Sequence, residues 1–476
     1  MPTTLHDVVV IGGGIVGTAI LRELSQYKLD LCLVEKQPDV CEGTSKANSG
    51  IVHTGFDAPP GSIEAECLRR AQRLWPELVA ALKIPFLSCG AVMVACSDEE
   101  KAIIHDVYIP NAAANGVDVR WIGKEELLER NPAVTSAAIG GLLIEGESIV
   151  DPFWATRSFA ELAVLNGADV RLGNGVASIG TGSQEEGLAI VLEDGQVIRT
   201  RYAVNAAGLW SDEIGRMIGD DSFWITPRKG QFLLTEEPIA VSTIILPVPT
   251  KVTKGILLTP VVFGGFMLGP TAEDQDDKWD RSTTGEGMRQ IAAGVDKLLP
   301  GVSACASIRQ FAGVRAVCSA GDYVIRASTA DSRVIHAAGI RSTGVSASPG
   351  IAEMVAERLE QAGLPLRRKA EARSELPELF DDEAQDAGEI VCLCRSITRG
   401  EVERVKRSSL PCSTIDGVKR RTGATLGECQ GNYCIPQLLD VLGERGTASS
   451  HEPLRPLKGL RQSYFASVGK EEEERT

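Results

Sequence analysis

The sequence predicts an α/β protein, α+β overall: a parallel sheet wrapped in helices, an inserted antiparallel sheet, and a small helical unit at the C-terminus. Three observations predict it. Residues 6–36 read strand, glycine-rich turn, helix, strand. Between about residue 169 and residue 269, short β-rich segments are punctuated by turn glycines. Beyond residue 366 the composition changes, and four cysteines fall in two tight pairs, Cys392/Cys394 and Cys429/Cys434.

Taken in order, Asp7–Ile11 is apolar and β-branched, Ile15–Tyr27 has helical spacing, and Leu29–Val34 is a second buried strand. Together they make the opening βαβ unit of a parallel sheet. A strand-rich section runs from Asp169 to Val204 and includes Val176, with turn signals at Gly173, Gly180, Gly187 and Gly195. Pro227–Gly269 reads as several short strands suited to a substrate-covering sheet. Tyr323–Gly344 reads strand, turn, strand, and Pro349–Ala362 an amphipathic helix. Residues 366–389 are charged and proline-punctuated, a composition that buries little apolar surface and suits a linker. The expected organisation is a domain over 1–365, a linker over 366–389, a metal-binding unit over 390–445 and a solvated tail over 446–476. Within the first domain, cofactor-binding parts are expected at about 1–90, 145–225 and 310–365, and substrate-facing parts at about 91–144 and 226–309.

The 476 residues are 43% hydrophobic and 24% charged, ordinary for a globular protein, and carry a net charge of −15. That charge argues against nucleic acid as a partner. The first apolar stretch, Val8–Leu21, is interrupted by Gly12, Gly13, Gly14 and Gly17, which makes a poor signal peptide and a poor membrane span. The expectation is a cytoplasmic protein without a transmembrane segment, any membrane attachment being made through a partner. Twelve cysteines without an export signal suggest reduced thiols, and Cys32, Cys41, Cys67, Cys89, Cys96, Cys305 and Cys318 read as small buried hydrophobes.

Gly12, Gly14 and Gly17 form G-x-G-x-x-G directly after a strand and at the start of the helix that opens with Ile15. The glycines let backbone approach a pyrophosphate lying on the helix N-terminus, the Rossmann-like arrangement. Glu35, eighteen residues beyond Gly17 and followed by Lys36, is placed to accept hydrogen bonds from an adenosine ribose. FAD and NAD share this fingerprint. Three further segments favour FAD. Thr44, Ser45, Asn48 and Ser49 lie in a loop of small donors. Ala207, Gly208 and Trp210 follow a strand into a glycine. Gly339, Ser342, Gly344 and Val345 precede the last helix of the domain.

The C-terminal pattern is Cys392-x-Cys394, thirty-four residues, then Cys429-x4-Cys434. Four thiolates arranged as two pairs can hold two irons bridged by sulfides, one iron to each pair. Cys434 opens the helix Ile435–Leu442, whose positive dipole end would face an anionic cluster. Capping boxes are expected at Thr398/Glu401 and Ser413/Asp416, the second helix ending near Gly423. Structural zinc is the alternative, although zinc knuckles usually carry a two-residue spacer within each pair. Cys412 does not fit a four-ligand scheme and reads as packing. Between Ile390 and Arg445 nine basic and six acidic residues leave +3, against −15 for the whole chain.

The dinucleotide segments resemble the D-amino-acid-oxidase-like superfamily of FAD-dependent oxidoreductases over about residues 6–365. Asn48-Ser49-Gly50-Ile51-Val52-His53-Thr54-Gly55-Phe56 is similar to a segment of L-2-hydroxyglutarate dehydrogenases. The layout with a cysteine-bearing tail resembles the A subunit of anaerobic glycerol-3-phosphate dehydrogenase. Residues 390–440 resemble the [2Fe–2S] domain named after bacterioferritin-associated ferredoxin. The resemblance implies FAD, a [2Fe–2S] cluster on Cys392, Cys394, Cys429 and Cys434, a small polar substrate, and an external electron acceptor: a partner subunit, a soluble carrier, or quinone reached through a partner.

It also implies two catalytic candidates. His53 lies in the flavin-proximal segment, as a base or as support to the cofactor, with a core histidine as the alternative. Arg315 lies where related enzymes fork a substrate carboxylate or phosphate, with a structural ion pair as the alternative. Lys229 and Gln231 are weaker candidates on the substrate sheet. Glycerol-3-phosphate dehydrogenases carry a lysine near the last glycine turn, where this chain has Ser342–Ser348, and often an arginine where it has Phe56. Both departures favour a small 2-hydroxy acid such as L-2-hydroxyglutarate. Glycerol 3-phosphate, an amine or imino acid, and a non-catalytic redox-sensing role are the alternatives.

Overall fold

The computed structural model describes residues 5–183, 186–249, 255–377 and 388–443. Residues 378–387 of the expected linker and the whole of the expected tail lie outside the described residues. Contacts divide the chain into two compact units, Met1–Pro377 and Glu378–Thr476.

The first unit is built on two large sheets. β1 (Leu5–Ile11), α1 (Ile15–Leu24) and β2 (Leu31–Glu35) form the expected opening unit. β1 lies between β2 and the strand Val197–Asn205, parallel to both, and β2 pairs parallel with Asp169–Leu172. The early half of Val197–Asn205 carries antiparallel Leu188–Leu192, and its late half carries parallel Val334–Ala338. The central strands are covered on both faces. Val8 and Val10 pack toward α1 and the helices Pro152–Leu165 and Gly344–Gln361. Val9 and Ile11 pack toward Ile190, Ile198 and Ile214. That double burial is why these strands read as continuous apolar runs without alternation.

Two helix boundaries differ from the expectation. α1 stops at Leu24, three residues before Tyr27, where the Ser25 hydroxyl turns back onto the Arg22 carbonyl. The last helix of this unit begins at Gly344, ahead of Pro349, which therefore lies inside it. Proline leaves the carbonyl four residues earlier without its amide partner. Here that carbonyl belongs to Val345, and the Ser348 hydroxyl donates to it at 3.0 Å. The helix is also buried along most of its length, so the amphipathic reading understated its packing.

The second sheet has nine strands, contributed by residues 91–144 and 225–318. Ser307–Cys318 pairs antiparallel along the whole of Ile225–Thr235. Residues 310–318, read from the sequence with the cofactor-binding parts, therefore belong to this sheet. A small third sheet links β3 (Ile51–Val52) to Ser148–Val150, with Val52 opposite Ser148. α2 (Ile63–Ala81) follows and packs on the helix Gly344–Gln361.

The second unit has a hairpin, Ile390–Cys392 with Ile397–Thr398, and helices Arg399–Lys406, Ile415–Thr422 and Cys434–Gly443. They enclose Val391, Val402, Val418, Leu438 and Val441. Thr398 and Glu401 form the expected capping box. The next helix is capped by Thr414, not Ser413: Thr414 has the extended backbone of a cap and accepts from Gly417 N–H. That helix ends as expected at Gly423, at φ 80°. Cys412 is buried in this core.

Candidate functional site

A cavity of about 720 Å³ runs between the two large sheets of the first unit. At one end lies the glycine turn. Gly12, at φ +113°, has no room for a side chain, since a Cβ there would sit 2.4 Å from the Ala206 carbonyl oxygen. Gly12, Gly14 and Ile15 line the cavity, but Gly17 does not. A Cβ on Gly17 would lie 1.9 Å from the Gly12 carbonyl oxygen, so this glycine serves the close packing of α1 on the turn. The α1 N-terminus has no side-chain cap on Gly14; the Ile15 N–H donates to Ser45 Oγ at 2.9 Å.

Glu35 reaches back to accept from Gly13 N–H at 2.6 Å and from Gln37 N–H at 2.8 Å. Burial pushes its carboxyl up, and these two N–H groups oppose that shift. Lys36, Val176, Ala207, Gly208 and Trp210 continue the same wall. The Lys36 ammonium sits 3.2 Å from the Trp210 ring centre and 4.2 Å from that of Trp279. Burial draws its pKa down to about 8. Gly339, Ser342, Gly344 and Val345 line the far end, at the start of the helix Gly344–Gln361.

Thr44, Ser45, Asn48 and Ser49 also border the cavity. Their donors are partly committed to the protein: Thr44 Oγ1 donates to the Val314 carbonyl, and the Asn48 amide ties Thr44 and Ser45 to Gly50. The loop therefore holds its own shape against the long strand Ser307–Cys318.

His53 and Arg315 open onto this cavity. His53 is pinned on three sides. Its N–H donates to Ser346 Oγ, its carbonyl accepts from the Gln72 amide, and its Nδ1 lies 2.9 Å from Glu147 Oε2. Arg315 donates to the Thr271 carbonyl at 2.9 Å, while its buried Nε has no hydrogen-bond partner among the described residues. Directly across the strand pair stands Arg228, held by Asp274 through two hydrogen bonds of 2.5 and 2.9 Å. Burial, and next the facing Arg228 guanidinium, pull Arg315 down to about 10. Like charges facing across strands destabilise a sheet. An anion between the two guanidinium groups would offset that cost.

Lys229 and Gln231 do not line the cavity. On Ile225–Thr235 the residues that do are Arg228, Gly230 and Phe232. Alternate side chains of a strand point to opposite faces, so the sequence choice fell on the wrong face by one residue. Lys229 instead pairs with Asp280 at 2.7 Å, and Gln231 with Thr284. Sequence reasoning also missed Glu147, Arg228, Trp279 and Arg281. The only local signal for Glu147 is a pair of acids, Glu145 and Glu147, inside the largely apolar segment 140–150.

In the second unit the four thiols come together across the expected pairs. Cys392 contacts Cys434, and Cys394 contacts Cys429. The reason is the hairpin: the strand ends at Cys392, which points into the core, and the turn throws Cys394 to the surface. N–H groups of Tyr433, Gly431 and Asn432 converge on Cys429 and lower its pKa. Burial pushes Cys434 up to about 11. Four gathered thiols with backbone donors aimed at one of them suit an anionic four-thiolate centre. On the first unit, the glycine cradle at the α1 N-terminus and the Glu35 carboxylate suit a dinucleotide.

Fold and site together define a flavoprotein oxidoreductase with an appended iron–sulfur domain. Residues 7–358 match the family of FAD dependent oxidoreductases, and residues 390–444 the BFD-like [2Fe-2S] binding domain. The chain belongs to that oxidoreductase family, and its cofactors are FAD and a [2Fe–2S] cluster. It is 34% identical to a glycerol 3-phosphate dehydrogenase of Caloramator mitchellensis, over 92% of this chain and 94% of that protein. An L-2-hydroxyglutarate dehydrogenase of Escherichia coli is 28% identical over 56% of this chain and 64% of its own length. The first unit resembles the FAD-bound L-alpha-glycerophosphate oxidase of Mycoplasma pneumoniae, with TM-score 0.74 and 28% identity, covering 79% of this chain and all of that one. Among the described residues no helix is long and apolar enough to cross a membrane.

Proposed function

We propose that this protein oxidises the secondary hydroxyl of glycerol 3-phosphate and delivers the electrons to an external acceptor. The observation that carries the reading is the Arg228–Arg315 pair, two facing cations in the cavity that also holds His53. Similarity to the Caloramator enzyme along nearly the whole chain, cysteine-bearing end included, supports the same substrate. FAD supplies the hydride acceptor and the [2Fe–2S] cluster a one-electron outlet. Arg315, with Arg228 behind it, holds the substrate anion and fixes which C–H faces the cofactor. His53 takes the hydroxyl proton as the hydride leaves the same carbon, so the product is a ketone. Phe56 and Phe232 form apolar cavity wall and limit water at the reacting carbon.

A 2-hydroxy acid is the second reading, favoured by the segment Asn48–Phe56 and by the missing lysine in Ser342–Ser348. Anaerobic bleaching of the flavin by glycerol 3-phosphate, L-2-hydroxyglutarate, glycerol and proline separates the two. Glycerol 3-phosphate is expected to bleach at the lowest concentration. Faster bleaching by L-2-hydroxyglutarate transfers the assignment to that substrate, and no bleaching by any donor removes the catalytic reading.

A further inference from the structure

Glu147 takes no part in the cofactor cradle or in the anion pair, yet it is a carboxylate buried beside the one histidine of the cavity. Its side chain is 1% exposed, against 15% for His53. Oε1 accepts from both the Thr54 N–H, at 2.7 Å, and the Thr54 hydroxyl, at 2.8 Å. Oε2 lies 2.9 Å from His53 Nδ1. Burying a carboxylate is costly unless it is paired and hydrogen-bonded, as Glu147 is here. The placement follows from the small sheet, since Val52 opposite Ser148 sets His53 beside Glu147, although 94 residues separate them.

Resting on the reading of His53 as the proton acceptor, we infer that Glu147 is a positioning residue. It holds the imidazole as the Nδ1–H tautomer, so that Nε2 is the basic nitrogen, and it stabilises the imidazolium formed when the substrate proton arrives. One proton moves from the substrate hydroxyl to Nε2, the carbon-bound hydrogen leaves as hydride to FAD, and Glu147 keeps its charge throughout. Other titratable groups nearby differ in character. Burial pushes Cys89, which feels the Glu147 charge, up to about 11, so it stays neutral. Glu64, paired with Arg341, together with Asp57, Arg228 and Arg315, borders the same cavity.

The test is flavin bleaching by glycerol 3-phosphate, or by L-2-hydroxyglutarate should that be the faster donor, across pH in the full-length holoprotein, with FAD content and melting temperature measured alongside. Neutral His53 is the active form, so bleaching rises as pH climbs through its titration. Removing the neighbouring negative charge makes the imidazole a weaker base. Glu147→Gln is therefore expected to bleach at least tenfold more slowly on the alkaline plateau, with half-maximal rate reached at lower pH and FAD content unchanged. Thr54→Val, which removes one Glu147 contact but no charge, should leave the pH of half-maximal rate in place. An unmoved profile in Glu147→Gln, with His53→Asn inactive, overturns the inference while sparing the role of His53. Bleaching at the wild-type rate in His53→Asn overturns the underlying reading instead. Should Glu147→Gln fail to fold, nitrogen NMR of ring-labelled histidine in the wild-type holoprotein decides: Nδ1–H at His53 is expected, and Nε2–H refutes the inference.

Discussion

At the scale of single residues, the site sets charged groups against burial. The two guanidinium groups of Arg228 and Arg315 face each other, and among the described residues one carboxylate, Asp274, binds the first of them. Charge-assisted contacts of this kind contribute about 1.5–3 kcal/mol each. Arg315→Ala should therefore raise the apparent KM for the anionic donor by about 10–100-fold with FAD content unchanged, as read by steady-state assay and absorbance. Arg315→Lys, which keeps the charge but not the planar fork, should recover only part of the loss.

Asp151 shows the same tension away from the chemistry. It caps the helix Pro152–Leu165 by accepting from Phe153 and Trp154, yet burial raises its pKa from 3.8 to about 6. A carboxyl raised in the folded state adds most stability when protonated. Its contribution is complete below the unfolded value and is lost as pH rises through about 6. Asp151→Asn keeps the cap without the charge. It should melt above wild type at pH 7, by an upper limit of about 3 kcal/mol, and lose that advantage near pH 4. Calorimetry at the two pH values checks the sign.

At the scale of elements, Gln275–Ser282 forms a clasp over the dinucleotide end of the cavity. Its base rests on the second sheet, through Gln275 on the Pro227 carbonyl and through Asp280 with Lys229. Its outer face grips the first sheet's side: Lys278 pairs with Asp212 and Glu213, Arg281 donates to the Glu42 carbonyl, and Trp279 meets Trp210 at 4.6 Å with Lys36 against both rings. A cation on aromatic faces contributes about 0.5–2 kcal/mol. Trp279→Ala should weaken FAD binding several-fold, seen as faster recovery of free-flavin fluorescence on dilution, without altering the iron–sulfur spectrum.

Glycines set the spacing in the strand pair beneath. Gly230 and Gly313 are register partners, and a Cβ on Gly313 would lie 2.0 Å from the Ala47 carbonyl oxygen. The absence of side chains there lets the Thr44–Ser49 loop lie directly on the sheet.

At the scale of the whole molecule, two compact units carry two redox groups of different electron count. FAD takes a pair of electrons from each substrate and a [2Fe–2S] centre passes one at a time, so under the proposed function the second unit would serve as the outlet. Cys429→Ser should leave donor-driven flavin bleaching at its wild-type rate while slowing reduction of an added one-electron acceptor by about tenfold or more, as expected if the four gathered thiols are the cluster's ligands. Equal turnover of the acceptor, with the cluster's EPR signal gone, would show that electrons leave by another path.

Some of this was legible from the amino acids alone because the pattern is local. The turn Gly12–Gly17, the Thr398/Glu401 cap, the Gly423 stop and each of the two cysteine pairs are specified within a few consecutive residues, and Glu35 follows the turn at a fixed short spacing, so backbone geometry and metal chemistry dictate residue type there. What only the tertiary structure decided are meetings between distant segments: Glu147 with His53, Arg228 with Arg315, Trp279 with Trp210, and each cysteine with a partner from the other pair. Those depend on strand register and on where a strand ends, and a shift of one residue sends a side chain to the opposite face. Lys229 and Gln231 turned away from the cavity for that reason, and Arg228 turned into it.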